Sequence, residues 1–216
     1  MTYLRKFVLL LALTCFAGSA QTQPFREVAD QVRTESYPEL SDSVIELLPM
    51  RSEYIYLKSR FKFTSFFLAP KLSYQIRVNT QALDRHVPPE ALRAIMSHEL
   101  AHVDYYHQRH RLALLGLVRL LSSRFTVRFE RGADLEAIAL GYGPGLAAYR
   151  NWLYQNIPSG RVAAKKRDYL TPEEIETIVQ AVRINPGLLQ VFRHCVPRNL
   201  AEVQAGASNP TAACSH

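Results

Sequence analysis

Residues 97–102 of the 216-residue chain read Ser-His-Glu-Leu-Ala-His, with two histidines four positions apart and a glutamate directly after the first. In an α-helix, side chains four residues apart lie on the same face, so His98 and His102 could reach one ion. Glu99 is rotated by about 100° from His98, because a helix has 3.6 residues per turn. It would lie beside the ion and could accept a proton from a bound water. The H-E-x-x-H pattern is typical of zinc hydrolases.

A second acidic segment offers the remaining parts of such a site. A catalytic zinc site needs a third protein ligand and one open position. Glu130 is the best candidate, and Asp134 follows four residues later on the same face of a helix predicted over residues 128–140. We expect Asp134 to accept the free ring N–H of a ligand histidine. Glu136 is the rival third ligand, but it is only two residues past Asp134 and points elsewhere. The expected cofactor is Zn²⁺.

The run from Tyr74 to Tyr142 resembles the zinc peptidases of the HtpX, Oma and CAAX prenyl endopeptidase type, which are gluzincins. Three pieces carry the resemblance: residues 76–80 (Ile-Arg-Val-Asn-Thr), residues 95–102 and residues 130–134 (Glu-Arg-Gly-Ala-Asp). The family has a glutamate three residues before Ala-Asp, as this chain does. The chain departs from many relatives because no membrane span lies between the two motifs, and because Leu135 stands where a basic residue is common.

The resemblance implies a role for each motif residue. His98, His102 and Glu130 would bind zinc, Glu99 would be the catalytic base, and Asp134 would support the site. It also implies a protein or peptide substrate, often in membrane or envelope quality control. The expected function is therefore endopeptidase cleavage by a zinc-activated water. The alternative is a chaperone-like or regulatory binding module that keeps zinc without turnover, but such a module has no use for Glu99.

A peptidase also needs a group that stabilises the developing oxyanion, and this group must come from outside the motif. His194, Tyr142 and Tyr169 are all eligible, and the sequence singles out none of them. His194 could alternatively block the metal as a fourth ligand.

The N-terminus has the organisation of a secretory signal peptide. Arg5 and Lys6 precede an apolar run over residues 7–17, and Gly-Ser-Ala at residues 18–20 offers a cleavage site. The run is shorter than the roughly 20 residues of a membrane span, although a retained anchor is the alternative. We expect residues 1–20 to be removed and the protein to be periplasmic or secreted.

Composition and cysteine content indicate the domain organisation, a disulfide and the kind of partner. Its 48% hydrophobic residues suit one globular domain, which we place at residues 21–204, followed by a flexible tail at residues 205–216. In an oxidising compartment Cys195 and Cys214 would form one disulfide, with two free thiols as the alternative. The net charge of +7 would fall to +5 on removal of Arg5 and Lys6 with residues 1–20. This charge favours an anionic membrane surface or polyanionic envelope material over nucleic acid, although plain solubility is the preferred interpretation. Peripheral membrane contact is thus a possible partner interaction, and the oligomeric state is open.

The hydrophobic pattern predicts a mainly α fold with a small antiparallel β-sheet, an α+β fold that suits a gluzincin-like domain. Period-two alternation predicts strands at residues 60–64 and 74–79. Prolines at residues 88 and 89 open the motif helix, which should run to about His110. The apolar stretch Leu112–Leu121 is expected to be a buried core helix, with membrane-surface contact as the alternative.

Glycine, proline and capping signals divide the C-terminal half. Residues 141–145 (Gly-Tyr-Gly-Pro-Gly) should end the second ligand helix, and a helix should resume over residues 146–155. Residues 157–168 are predicted to be an exposed basic loop. Thr-Pro-Glu-Glu at residues 171–174 predicts a capping box that starts another helix. A last short helix should run to about Cys195.

Overall fold

The computed structural model describes residues 21–117 and 122–209. Helix α1 covers residues 21–36, and a single 3₁₀ turn follows at Pro38–Leu40. The remaining elements are β1 (Ile45–Met50), β2 (Leu57–Phe61), α2 (Phe63–Leu68), β3 (Tyr74–Asn79), α3 (Gln81–Asp84), α4 (Pro89–His107), α5 (Arg111–Leu114), α6 (Ser123–Ala139), α7 (Gly143–Asn156), α8 (Ser159–Asp168), α9 (Pro172–Ile184), α10 (Leu188–His194) and α11 (Leu200–Ser208). The expected mainly α fold with one small sheet is confirmed.

The sheet has three strands in the order β1-β3-β2, so β2 lies at one edge. The predicted strand at residues 74–79 is confirmed as β3. The strand predicted at residues 60–64 is only partly right, because β2 covers Leu57–Phe61 and the helix α2 begins at Phe63. The purely antiparallel arrangement is wrong, because β1 pairs in parallel with β3 while β2 pairs antiparallel. Strand β1 was not predicted, because its six residues show no clear alternation of buried and exposed positions and include Pro49.

Helix α4 is the central element of the fold. Thirteen of its nineteen residues are buried, including the motif residues themselves. It packs against β2 of the sheet and against helices α6 and α7. The approach to α7 is close, since a Cβ atom added at Gly145 would lie 2.4 Å from the backbone oxygen of Glu90. Because neighbouring elements enclose this helix, its polar side chains have fixed positions, as a metal or catalytic site requires. It ends at His107, three residues before the predicted end.

Helices α6 and α7 are joined by a short turn centred on Gly141. Helix α6 begins at Ser123, five residues before the predicted start, and ends at Ala139. Gly141 has a φ of 89°, a left-handed conformation that glycine adopts without strain. Helix α7 then begins at Gly143 rather than at residue 146, because proline at residue 144 lies in its first turn, where a missing N–H is harmless.

Two predictions of local structure are wrong. Residues 157–168 are largely helical rather than a loop: α8 covers Ser159–Asp168, with no buried residue. Pro158 precedes this helix instead of interrupting it. The stretch Leu112–Leu121 is not a buried core helix over its described part. Helix α5 is short, and Leu112 and Leu115 are 67% and 57% exposed, whereas Leu114 is buried. Residues 118–121 lie outside the described residues.

The C-terminal helices form a second apolar cluster around α9. The predicted capping box is confirmed, since the Thr171 hydroxyl accepts the Glu174 N–H and the Glu174 carboxylate accepts the Thr171 N–H. The short helix before Cys195 is confirmed as α10. Helix α11 was not predicted, and because it continues to Ser208 and buries Gly206, the expected tail does not begin at residue 205.

Several expectations concern residues outside the described ranges. The signal peptide at residues 1–20 and the end of the tail, residues 210–216, are among them. Cys195 is disulfide-bonded. Its pairing with Cys214 stays a prediction, since Cys214 is not a described residue. Among the described residues, no helix is long and apolar enough to cross a membrane.

A pair of glycine substitutions tests the packing of α4 on α7. Gly145→Ala should lower the free energy of unfolding by about 1–3 kcal/mol, because the added methyl group meets the backbone of Glu90. The matched control is Gly132→Ala, where a Cβ meets nothing within 4 Å. That change should raise stability by about 1 kcal/mol through helix propensity. Urea unfolding followed by circular dichroism measures both, and similar stabilities of the two variants would contradict the close approach.

Candidate metal centre and active-site cleft

Two helices bring the three predicted ligand side chains together. Helix α4 carries His98 and His102, and α6 carries Glu130. One ligand atom from each lies within 4.8 Å of the others. Glu130 Oε2 is 3.0 Å from His102 Nε2 and 3.3 Å from His98 Nε2. The rival Glu136 is absent from this cluster, and its carboxylate forms an ion pair with Arg193 instead.

Asp134 is the partner of His98, as expected, and it has two further partners that the sequence did not reveal. Its Oδ1 accepts hydrogen bonds from His98 Nδ1, at 2.7 Å, and from Arg150 Nη2, at 2.7 Å. Its Oδ2 accepts the backbone N–H of Leu170 at 2.9 Å. Burial alone would raise the pKa of Asp134, but the positive charges of Arg150 and His98 hold it below its ordinary value. When His98 is neutral, the hydrogen bond to Asp134 keeps its one ring proton on Nδ1, and Nε2 faces Glu130.

Glu99 lies beside the cluster without joining it. Its Oε2 accepts the backbone N–H of Ser59 at 2.6 Å, and its side chain is buried. Ser59 is in the edge strand β2, which pairs with β3 on one side only. The N–H of Ser59 is therefore free of the sheet and holds the carboxylate of Glu99 in place. The sequence indicated a strand before the motif, but it carried no signal for this particular contact.

A cleft of about 450 Å³ gives access to these residues. Residues 54–61 line one side of it, and His98, Glu99, His102 and Glu130 also line it. The ring of Phe129 stacks on that of His102, with centroids 4.4 Å apart. The reactive groups are thus reachable from solvent although they are themselves mostly buried.

Of the three residues eligible to stabilise an oxyanion, Tyr169 lines this cleft. Its ring centroid is 5.8 Å from that of His98, and the Arg150 guanidinium lies over the ring at 4.5 Å. Burial and the nearby Glu130 raise the pKa of Tyr169 well above its ordinary value, so its hydroxyl stays a proton donor. Tyr142 instead shares a hydrogen bond with the Ser36 hydroxyl.

His194 lies elsewhere too. It is at the end of α10 and lines a different pocket, between α6 and α10.

The donor set of the cluster suits a divalent metal ion. Two imidazole nitrogens and one carboxylate oxygen are the ligands found in many catalytic zinc sites, which use three protein ligands. Glu130 supplies a negative charge, since the neighbouring His102 and His98 outweigh its burial and hold its pKa well below the ordinary value. Both histidines are anchored on one rigid helix. The residues present therefore fit a zinc ion.

Residues 47–149 match the family model of peptidase family M48. Residues 47–149 therefore belong to peptidase family M48. The family consists of metallopeptidases, so the expected resemblance is confirmed at this level, and the finer likeness to the HtpX, Oma or CAAX prenyl endopeptidase type stays a prediction. The matched residues contain both motifs and all of the sheet except the first two residues of β1. Comparisons with curated proteins and with solved structures found no match.

The buried pair Asp134–Arg150 gives a test of the hydrogen-bond network around His98. Arg150→Met should lower the free energy of unfolding by about 3–5 kcal/mol, because it leaves a buried carboxylate without its cation. The double variant Asp134→Asn with Arg150→Met should lose much less than the sum of the two single variants. Chemical unfolding in the presence of a chelator measures these values without a metal contribution. Additive losses would contradict a direct pairing of the two side chains.

Proposed function

We propose that this M48 peptidase is a zinc-dependent endopeptidase that cleaves exported or envelope proteins. The convergence of His98, His102 and Glu130 in an open cleft, with Glu99 fixed beside them, carries the proposal. A purely structural metal site would not need a buried carboxylate that is held next to the ligands yet outside the ligand set.

Each residue of the site has a defined task in this proposal. His98, His102 and Glu130 would hold the zinc ion. Bound zinc would supply Lewis acidity, which lowers the pKa of a water molecule to about 7 and polarises the scissile carbonyl. Asp134 keeps the proton of His98 on Nδ1, so that Nε2 remains a donor of its lone pair. Arg150 keeps Asp134 ionised.

Glu99 is the general base and then the general acid. Its carboxylate takes a proton from the attacking water and passes it to the leaving amine of the cleaved peptide bond. The N–H of Ser59 holds Oε2 of Glu99, which leaves Oε1 to exchange the proton. Tyr169 lines the cleft, and its hydroxyl has no hydrogen-bond partner among the described residues. It would donate to the developing oxyanion.

The edge strand β2 suggests how a substrate would lie. A peptide in extended form can add to an exposed sheet edge through main-chain hydrogen bonds. Strand β2 is such an edge, and it lines the cleft beside Glu99. Main-chain hydrogen bonds depend little on the side chains of the substrate, which suits a peptidase that acts on unfolded proteins. The proposed envelope location depends on the signal-like sequence of residues 1–20, with its basic start and apolar run.

Metal analysis of two glutamate variants tests the ligand set. Glu130→Ala removes a proposed ligand and should release most of the zinc. Glu136→Ala is the matched control, since it lies on the same helix and pairs with Arg193 outside the cluster. It should keep the full zinc content of the unchanged protein. Mass spectrometry of the metal after dialysis gives both values. Full zinc content in Glu130→Ala with loss in Glu136→Ala would mean that the other carboxylate is the ligand.

Glu99→Gln separates the enzyme from a zinc-containing binding module. Glutamine has nearly the same shape, so the fold and the bound zinc should persist. Peptidase activity should fall by about 10²–10⁴-fold, because the proton acceptor is lost. Cleavage of unfolded casein with and without a chelator measures it. Chelator-sensitive cleavage that survives in Glu99→Gln would refute the mechanism. Zinc and client binding without any cleavage by the unchanged protein would favour the binding module.

A further inference from the structure

Large apolar side chains are exposed mainly on two short helices. Among the described residues, eight large apolar side chains are exposed, and five of them lie on α2 or at α5. These five are Phe63, Phe67, Leu68, Leu112 and Leu115, and they are 57–85% exposed. We refer to them as the α2–α5 surface. Single exposed apolar residues are ordinary, but a cluster of this kind marks an interaction site.

Hydrogen bonds from the Arg111 side chain hold the two helices next to each other. Arg111, the first residue of α5, donates hydrogen bonds to the backbone oxygens of Phe66, Ala69 and Pro70 at the end of α2, at 3.1, 2.6 and 2.6 Å. Within α2 the rings of Phe63 and Phe67 contact each other, with centroids 5.0 Å apart. The exposed side chains are thus presented together by a fixed piece of backbone.

The two chain segments that carry this surface contain basic residues and no acidic ones. The two segments that carry it, residues 54–79 and 105–129, contain no aspartate or glutamate. They contain ten lysines and arginines, five in each segment. Elsewhere the chain has nineteen acidic residues, so this separation is not a property of the whole sequence. Lys62 is paired with Glu46, whereas Lys71 has no ion-pair partner among the described residues.

From this arrangement we propose that the α2–α5 surface docks on an anionic lipid membrane. Phenylalanine and leucine side chains can enter the boundary between headgroups and acyl chains, while lysine and arginine attract anionic headgroups. A second copy of the chain fits poorly, because the same basic segments would face each other. The proposal is independent of the peptidase mechanism.

The active-site cleft opens next to the proposed docking surface. Phe61 lines the cleft, and its ring is 5.8 Å from that of Phe66 in α2. Leu117, which follows α5, also lines the cleft. Docking would therefore hold the cleft close to the membrane, where it meets segments of proteins that emerge from the lipid.

A position-specific tryptophan probe tests the docking in the full chain. Phe67→Trp places the probe on the α2–α5 surface, and Ile184→Trp places it at a residue that is 86% exposed at the end of α9. Trp152, which is mostly buried, provides the same background in both variants. On vesicles of phosphatidylglycerol, emission of the Phe67→Trp variant should shift to the blue and be quenched by brominated lipid. The Ile184→Trp variant should show neither effect.

Control experiments with other lipids, higher salt and a double variant show which interactions cause the vesicle binding. The shift should be absent on phosphatidylcholine vesicles and weaken in high salt, because screening reduces attraction to the headgroups. Phe63→Ser with Phe67→Ser should lower the partition coefficient of the docking surface by roughly 100-fold, since burial of one aromatic side chain is worth about tenfold or more. If both probe variants bind the vesicles but the emission of Trp at residue 67 does not shift to the blue, another part of the chain such as the N-terminus makes the contact. That result would overturn the proposal. So would a vesicle-independent dimer that the double variant abolishes.

Discussion

The carboxylate of Asp134 is the interaction on which the site depends. It is fully buried and accepts hydrogen bonds from a ligand histidine, from a buried arginine and from the backbone of Leu170. A buried charge is expensive unless every lone pair finds a donor and a cation compensates it. Here four pieces of the chain, α4, α6, α7 and the segment after α8, meet that requirement together. Any movement of one of them would leave a buried charge without its partners.

This arrangement explains how a catalytic site can be built into the centre of a small fold. Helix α4 is buried nearly all round, so its polar side chains are held by contacts rather than by water. Leu170 directly follows Tyr169, and its hydrogen bond to Asp134 therefore also fixes the tyrosine beside His98. The edge strand β2 completes the site by holding Glu99 through Ser59. The sheet thus takes part in the site and is more than a cover for the helices.

The sequence predicted those parts of the site that are local in the chain. Spacing by four residues was enough to place His98 with His102, and Glu130 with Asp134, because helix geometry alone brings such pairs to one face. Ser59, Arg150 and Leu170 were not found, since each reaches the site through a contact between distant segments. Strand β1 was missed for a similar reason, because its stability comes from parallel pairing with β3 rather than from its own pattern.

The errors in local structure also have physical causes. Proline and glycine at residues 158 and 160 suggested a loop, but both lie at the start of α8, where a helix tolerates them. The apolar run after Arg111 suggested a buried helix, yet the guanidinium of that arginine donates to backbone oxygens of α2 and anchors a short helix that leaves two leucines exposed. The position of proline and glycine at the helix start decided the first case, and a tertiary contact decided the second.

X-ray absorption at the zinc edge of the zinc-loaded protein tests the proposed ligand set, in which His98, His102 and Glu130 bind one catalytic ion. We expect scattering from two imidazoles, with all remaining ligands being oxygen at about 2.0–2.2 Å, and no sulfur at about 2.3 Å. The His102→Ala variant should lose one of the two imidazole signals. Three imidazoles, which would bring His194 into the site, or a thiolate ligand would contradict this ligand set.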